Sequence, residues 1–232
     1  MTVALALLVG ATVQSLVGLG LGLVAAPVIM IVQPDLMPEL MLWLACTYPL
    51  VTLAAERADI HWAGLGWSLP PRLLGTAIGV AAVATVSTRV LGLLVAAIVL
   101  VAVLVTWLAV RPPITRGSLM TAGLVSGFSG TATSIGGPPM AILYQDRPPR
   151  QIRTTLAVYF MVGAGLSLAG LALAGQLEPH KALLAACLAP VLPFGAALGR
   201  ALRKRLPERH VRGAVLLVCA ASAVVLLVRS LA

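Results

Sequence analysis

Ser126-Gly127-Phe128-Ser129-Gly130-Thr131-Ala132-Thr133-Ser134-Ile135-Gly136-Gly137-Pro138-Pro139 interrupts an apolar run that otherwise extends over residues 117–143. Glycine and proline at this density break a helix. Inside hydrocarbon, broken backbone is tolerated only where it is buried in protein or lines a wet cavity. A second, weaker interruption runs from Gln14 to Pro27 and contains Gly18, Gly20 and Gly22.

The rest of the chain explains where these interruptions sit. Of 232 residues, 60% are hydrophobic and only 10% charged, and the mean hydropathy is +1.04. A soluble domain carries roughly a quarter charged residues. Apolar segments cover about 2–32, 36–55, 68–87, 90–109, 117–143, 154–174, 181–199 and 211–228. A full membrane crossing needs roughly 20 residues. The charge-free run Thr2 to Val32 is too long for a signal-peptide core and reads as part of the mature protein. The net charge of +9 belongs to short loops that set orientation, so nucleic acid is not an expected partner. Cys46, Cys187 and Cys219 lie in apolar runs without metal-ligand spacing, and no metal site or disulfide framework is expected.

The chain divides into similar halves, 1–110 and 117–232, joined by a linker at 111–116. A shift of 112 places Gly18 on Gly130, Pro27 on Pro139 and Gln33 on Gln145, and a shift of about 120 places Gly79 on Gly199 and Arg89 on Arg209. Weak internal symmetry of this kind marks transporter repeats.

Charge tests the topology. Let the fifth segment enter and leave on one side. Arg57, Arg72, Arg111, Arg116, Arg147, Arg150, Arg153, Arg200, Arg203, Lys204, Arg205, Arg209 and Arg212 then share the cytoplasmic side, and of the 16 Lys and Arg only Arg89, Lys181 and Arg229 lie opposite. The positive-inside rule favours this over eight simple crossings. By the repeat, the first segment is re-entrant too. The expected fold is therefore all-α: a polytopic membrane protein of two inverted repeats, each with a re-entrant or broken helix plus three transmembrane helices. In this scheme Arg72 and Arg153 are topology anchors, with attraction of an anion as the competing reading, and Trp62 and Trp67 anchor at an interface.

The interruptions carry the chemistry. Proline suits the first position of a helix, so Gly137-Pro138 and Ala26-Pro27 start second half-helices. Their first-turn N–H groups and dipole ends form an anion-binding geometry. Candidate substrate-binding residues are Gln14, Gly18, Gly20, Gly22, Ser126, Ser129, Gly130, Thr131, Thr133, Ser134, Gly136, Gly137 and Pro138. Tyr48 and Tyr159 are candidate pore-lining phenols, with helix packing as the competing reading. Asp35, Glu39, Glu56, Asp59, Asp146, Glu178 and Glu208 fall in loops or at segment ends, as do His61, His180 and His210. That argues against a carboxylate-built cation site, and against an intramembrane enzyme. A proton relay lacks its usual residues, so a coupled proton travels on the substrate or near a loop.

Gly18–Pro27, Arg57-Ala58-Asp59-Ile60-His61-Trp62, Gly127–Pro139, Arg153–Ala157 and Leu192–Gly199 resemble the sulfite exporter TauE/SafE family, also called the sulfonate uptake permease family. Nearly the whole chain takes part in the resemblance. It implies a bacterial or archaeal inner-membrane permease for small organosulfur anions such as sulfite and sulfonates, without a cofactor. The expectation is a multi-pass transporter in the bacterial inner (cytoplasmic) membrane that works by alternating access, with proton coupling an option. Its partners are a small anionic organosulfur substrate and membrane lipids, and a homodimer is left open. The alternative is an anion channel that uses the same broken helices.

Overall fold

A computed structural model describes residues 1–17, 20–108, 110–203 and 208–231. Gly18, a candidate ligand, and Lys204 and Arg205 of the basic loop lie outside the described residues. The described residues form helices and no strands: α1 (Thr2–Val17), α2 (Leu21–Val32), α3 (Glu39–Ala55), α4 (Trp62–Thr85), α5 (Thr88–Trp107), α6 (Arg116–Thr133), α7 (Gly137–Tyr144), α8 (Pro149–Leu173), α9 (Pro179–Leu188), α10 (Val191–Arg203) and α11 (Glu208–Leu231). Helix α5, helix α8 and the α9–α10 run over Pro179–Leu202 are long and apolar enough to cross a bilayer.

Each interruption places a short helix against its predecessor. At the second, α6 ends on Ser134, whose φ of 61° is left-handed. Helices often stop in this way, usually with glycine. Helix α7 then packs on α6. At the first, α2 packs on α1 and its Leu21 N–H donates to Gln14 Oε1 at 3.1 Å. This corrects the expected start at Ala26-Pro27: α2 already begins at Leu21, after the glycines, and Pro27 lies inside it, where neighbouring helices can hold the freed backbone groups.

Contacts between the halves are extensive. Helix α4 packs on α6, α10 on α1, α3 on α8 and α5 on α11. The α4–α6 seam is built from two glycine pairs at four-residue spacing. A Cβ on Gly75 or Gly79 would press on the α6 backbone at Leu124 and Phe128, and one on Gly123 or Gly127 on the α4 backbone at Ser68 and Arg72. Gly195 and Gly199 of α10 meet Leu8 and Thr12 of α1 in the same manner. Small residues let helices approach where lipid supplies no hydrophobic drive for helix association. Large apolar side chains remain on the outside, including Leu73, Leu74 and Ile78 on α4, Val101 and Leu104 on α5, and Val224 and Val228 on α11. A soluble monomer seldom exposes that much apolar surface.

Ionic contacts gather at two ends of the bundle. At one end Arg229 donates to Ile31 O, Arg89 to the last carbonyls of α11, and Lys181 pairs with Glu178 and Glu39. At the other end of α3, Arg153 pairs with Glu56. Glu178, at the exposed start of α9, has its carboxyl held below the ordinary value by the hydrogen bond and charge of Lys181.

A second sequence-based placement is also corrected. Arg72 does not anchor a loop. It lies in the interior of α4, which begins at Trp62 and continues through Pro70 and Pro71. Consecutive prolines usually end a helix, but neighbouring helices in a membrane bundle can hold the freed carbonyls in place. Arg72 is only 3% exposed.

Candidate functional site

The two interruptions meet. A Cβ on Gly22 would lie 2.7 Å from Ser134 O, so only glycine allows the start of α2 to approach the turn between α6 and α7 this closely. Beside the meeting point is a cavity of about 70 Å³. A single water needs roughly 10–15 Å³ measured in this way, so there is room for a small polyatomic ion. Helix α3 closes one side with Met41, Leu42, Ala45, Tyr48 and Pro49, and α8 contributes Phe160 and Ala164.

The sequence-derived candidates separate into two groups. Gln14, Gly20, Gly22, Tyr48, Gly130, Ser134, Gly136, Gly137 and Pro138 line the cavity. Ser126, Ser129, Thr131, Thr133 and Tyr159 are buried and lie outside its lining. Most of these hydroxyls are engaged within the bundle. Thr131 bonds Ser167 at 2.8 Å, and Thr133 donates to Ser129 O at 2.7 Å. Ser126 donates to Gly136 O. Ser134 lines the cavity and donates to Pro38 O at 2.9 Å, which ties the turn to the start of α3. Tyr48 donates to Ala11 O at 3.3 Å.

The helix N-termini offer fewer donors than expected. Among the first four residues of α7, Pro138 and Pro139 have no N–H. In α2, Leu21 N–H goes to Gln14 and Val24 N–H to Gly20 O. The principal positive charge at the cavity comes instead from Arg72, which lines it. Its Nη1 donates to Ser126 Oγ at 2.8 Å. Its guanidinium lies over the Tyr159 ring, 4.5 Å from the centroid, an attraction between cation and π face. Gly163 of α8 leaves the space this needs, because a Cβ there would overlap the Arg72 guanidinium carbon.

Arg72 is incompletely satisfied. Among the described residues its Nε has no hydrogen-bond partner, and neither do the nearby Tyr159 Oη and Thr76 Oγ1, one helical turn along α4. Among the described residues no carboxylate lies within 4.0 Å of it. A guanidinium does not deprotonate in a protein, and an uncompensated buried charge costs several kcal/mol. Such a group is poised for an anion. The sequence hid it behind Pro70-Pro71, and the usable signal was an arginine three residues before Gly75, the first glycine of the α4 packing pair. Among the described residues no three His, Cys, Asp or Glu side chains gather to hold a metal ion.

Comparison with known proteins agrees with this picture of a membrane bundle. The family model described as sulfite exporter TauE/SafE matches residues 2–226. No curated protein and no solved structure matches the chain. With nearly its whole length matched, the chain is a membrane protein that belongs to the sulfite exporter TauE/SafE family.

Proposed function

We propose that this protein carries a small anion of the sulfite or sulfonate type across the bacterial inner membrane by alternating access. The anion sits between the two helix interruptions with its charge against Arg72. The observation that carries this is Arg72 itself: a buried, permanently charged group beside a cavity, with no carboxylate within 4.0 Å among the described residues. An oxyanion supplies both the missing charge and acceptors for guanidinium N–H groups. Among the described residues the cavity lining contains no Asp, Glu or His. If transport is coupled to protons, the proton therefore travels on the substrate or through groups outside this lining.

The halves 1–110 and 117–232 are read as inverted repeats, each with a re-entrant helix pair. Packing supports this. If α1–α5 correspond in order to α6, α7, α8, α9–α10 and α11, then α4 on α6 and α10 on α1 are the same contact seen twice, while α3 on α8 and α5 on α11 lie on the pseudo-axis. Gln14, Tyr48, Pro49 and Phe160 line both this cavity and its neighbour, and the carrier reading takes them as the wall that separates the two.

Thermal unfolding of the purified protein tests the assignment. Sulfite or a short sulfonate at a hundred times its dissociation constant should stabilise by about 2.7 kcal/mol. Stabilisation by sodium or divalent cations, with none by any anion, would overturn it.

A further inference from the structure

Beyond the wall of Gln14, Tyr48, Pro49 and Phe160 lies a second cavity of about 80 Å³. These four residues line both spaces, so one layer of side chains divides them. The second cavity also carries Arg153, Arg200 and Glu56. Arg153 grips Glu56 with its fork: Nη2 donates to Oε1 at 2.9 Å and to Oε2 at 2.8 Å, and Nε to Oε2 at 3.2 Å. Arg200, on α10, also lines this cavity, so two arginines and one glutamate are among its lining residues.

The pair is built so that its carboxylate can be replaced. A sulfur oxyanion presents the same two-oxygen edge to a guanidinium fork that Glu56 does. The Arg153 and Glu56 side chains are 22% and 29% exposed. Partly wetted pairs exchange partners at far lower cost than dry ones.

We propose that this second cavity is a transit subsite for small oxyanions. Arg200 attracts the anion, which then displaces Glu56 from Arg153 and passes the wall to Arg72. Glu56 acts as a tethered competitor that keeps the subsite weak, so that the anion leaves it. This rests on the assignment of the Arg72 cavity as an anion site.

The test uses the purified full-length chain and anaerobic titration calorimetry with sulfite. Arg72→Gln should abolish the tighter site and leave a weaker one. Adding Glu56→Gln should tighten that residual site by about tenfold, the size expected when one charge-assisted competitor is removed. Adding Arg200→Gln to both should abolish it. In vesicle transport assays Arg200→Gln alone, at an exposed end of α10, should raise KM by about tenfold. If wild type binds sulfite while the Arg72→Gln/Glu56→Gln protein binds none, or if Arg200→Gln leaves KM unchanged, the transit subsite is wrong and the Arg72 site stands. If Arg72→Gln changes nothing and binding disappears with Arg200→Gln, the Arg72 site is wrong and the second cavity is the binding site.

Discussion

Arg72 and Lys181 are both buried cations in a largely apolar bundle, and their surroundings are opposite. Lys181 is 8% exposed and Arg72 is 3% exposed. Lys181 Nζ lies 2.7 Å from Glu178 Oε1 and 3.9 Å from Glu39 Oε2. Glu39 is itself 2% exposed and accepts the Glu178 N–H at 3.1 and 3.2 Å. That cluster is closed within the protein, and it fastens the start of α3 to α9. Arg72 has one serine, one aromatic face and an orphaned Nε. A compensated charge holds structure together, whereas an uncompensated one beside a cavity waits for a ligand. At the position of Arg72 shifted by 120, α10 carries Leu192, which is buried at 1% exposure. Under the proposed repeat, the charge of the proposed site therefore comes from one half.

Substitutions test this contrast. The largest effect is expected from Arg72→Gln, which should lower transport kcat/KM about a thousandfold, equivalent to about 4 kcal/mol. Its thermal midpoint should stay level or rise, because an uncompensated buried charge has been removed. Unimpaired vesicle transport by this variant would end the contrast. Lys181→Met should do the reverse. It strands Glu39 and should cost about 3 kcal/mol of stability while sulfite affinity changes little. Glu39→Gln in the same chain should recover part of that loss, as read from unfolding midpoints in detergent. A stable Lys181→Met protein with lost affinity would move Lys181 into the transport machinery. The smallest effect belongs to Ser126→Ala, which removes one hydrogen bond to Arg72 and leaves its charge. Sulfite affinity should fall about tenfold, since a bond to a charged group contributes roughly 1.5–3 kcal/mol. Affinity equal to wild type would show that Tyr159 and Gly163 position the guanidinium without Ser126.

Much of the scaffold was legible because its signals are local. Charge-free runs identify membrane segments whatever their partners. The glycines and prolines at 126–139 and the glycines near residue 20 interrupt helices through their own backbone chemistry, so α6 ends at Thr133 and α7 starts at Gly137, while α1 ends at Val17 and α2 starts at Leu21. Pro27, read from the sequence as a helix start, lies inside α2. Residues around the interruptions, from Gln14 to Pro138, also come together at one cavity. The side-chain roles were less legible. Ser126, Thr131 and Thr133 have the composition of ligands, yet their hydroxyls are committed inside the bundle. Whether a helical hydroxyl faces a void or a neighbouring helix depends on a rotation that no single segment encodes. Glu39 stands at a helix start, where sequence suggests solvent, but α9 arrives from 139 positions away to bury it.

Sequence alone places this chain in a bilayer and marks the two regions in which its helices break. Both follow from the transfer cost of side chains and from the backbone limits of glycine and proline, which act residue by residue. Packing between helices set which of the 16 positive residues are buried, Arg72 beside the cavity and Lys181 against Glu39 among them. Hydropathy averages one arginine away, and a proline pair resembles a loop until neighbouring helices enclose it. Only the close approach of α4 to α6, with Gly163 of α8 yielding space, turns Arg72 from an apparent anchor into the charge at the centre of the cavity.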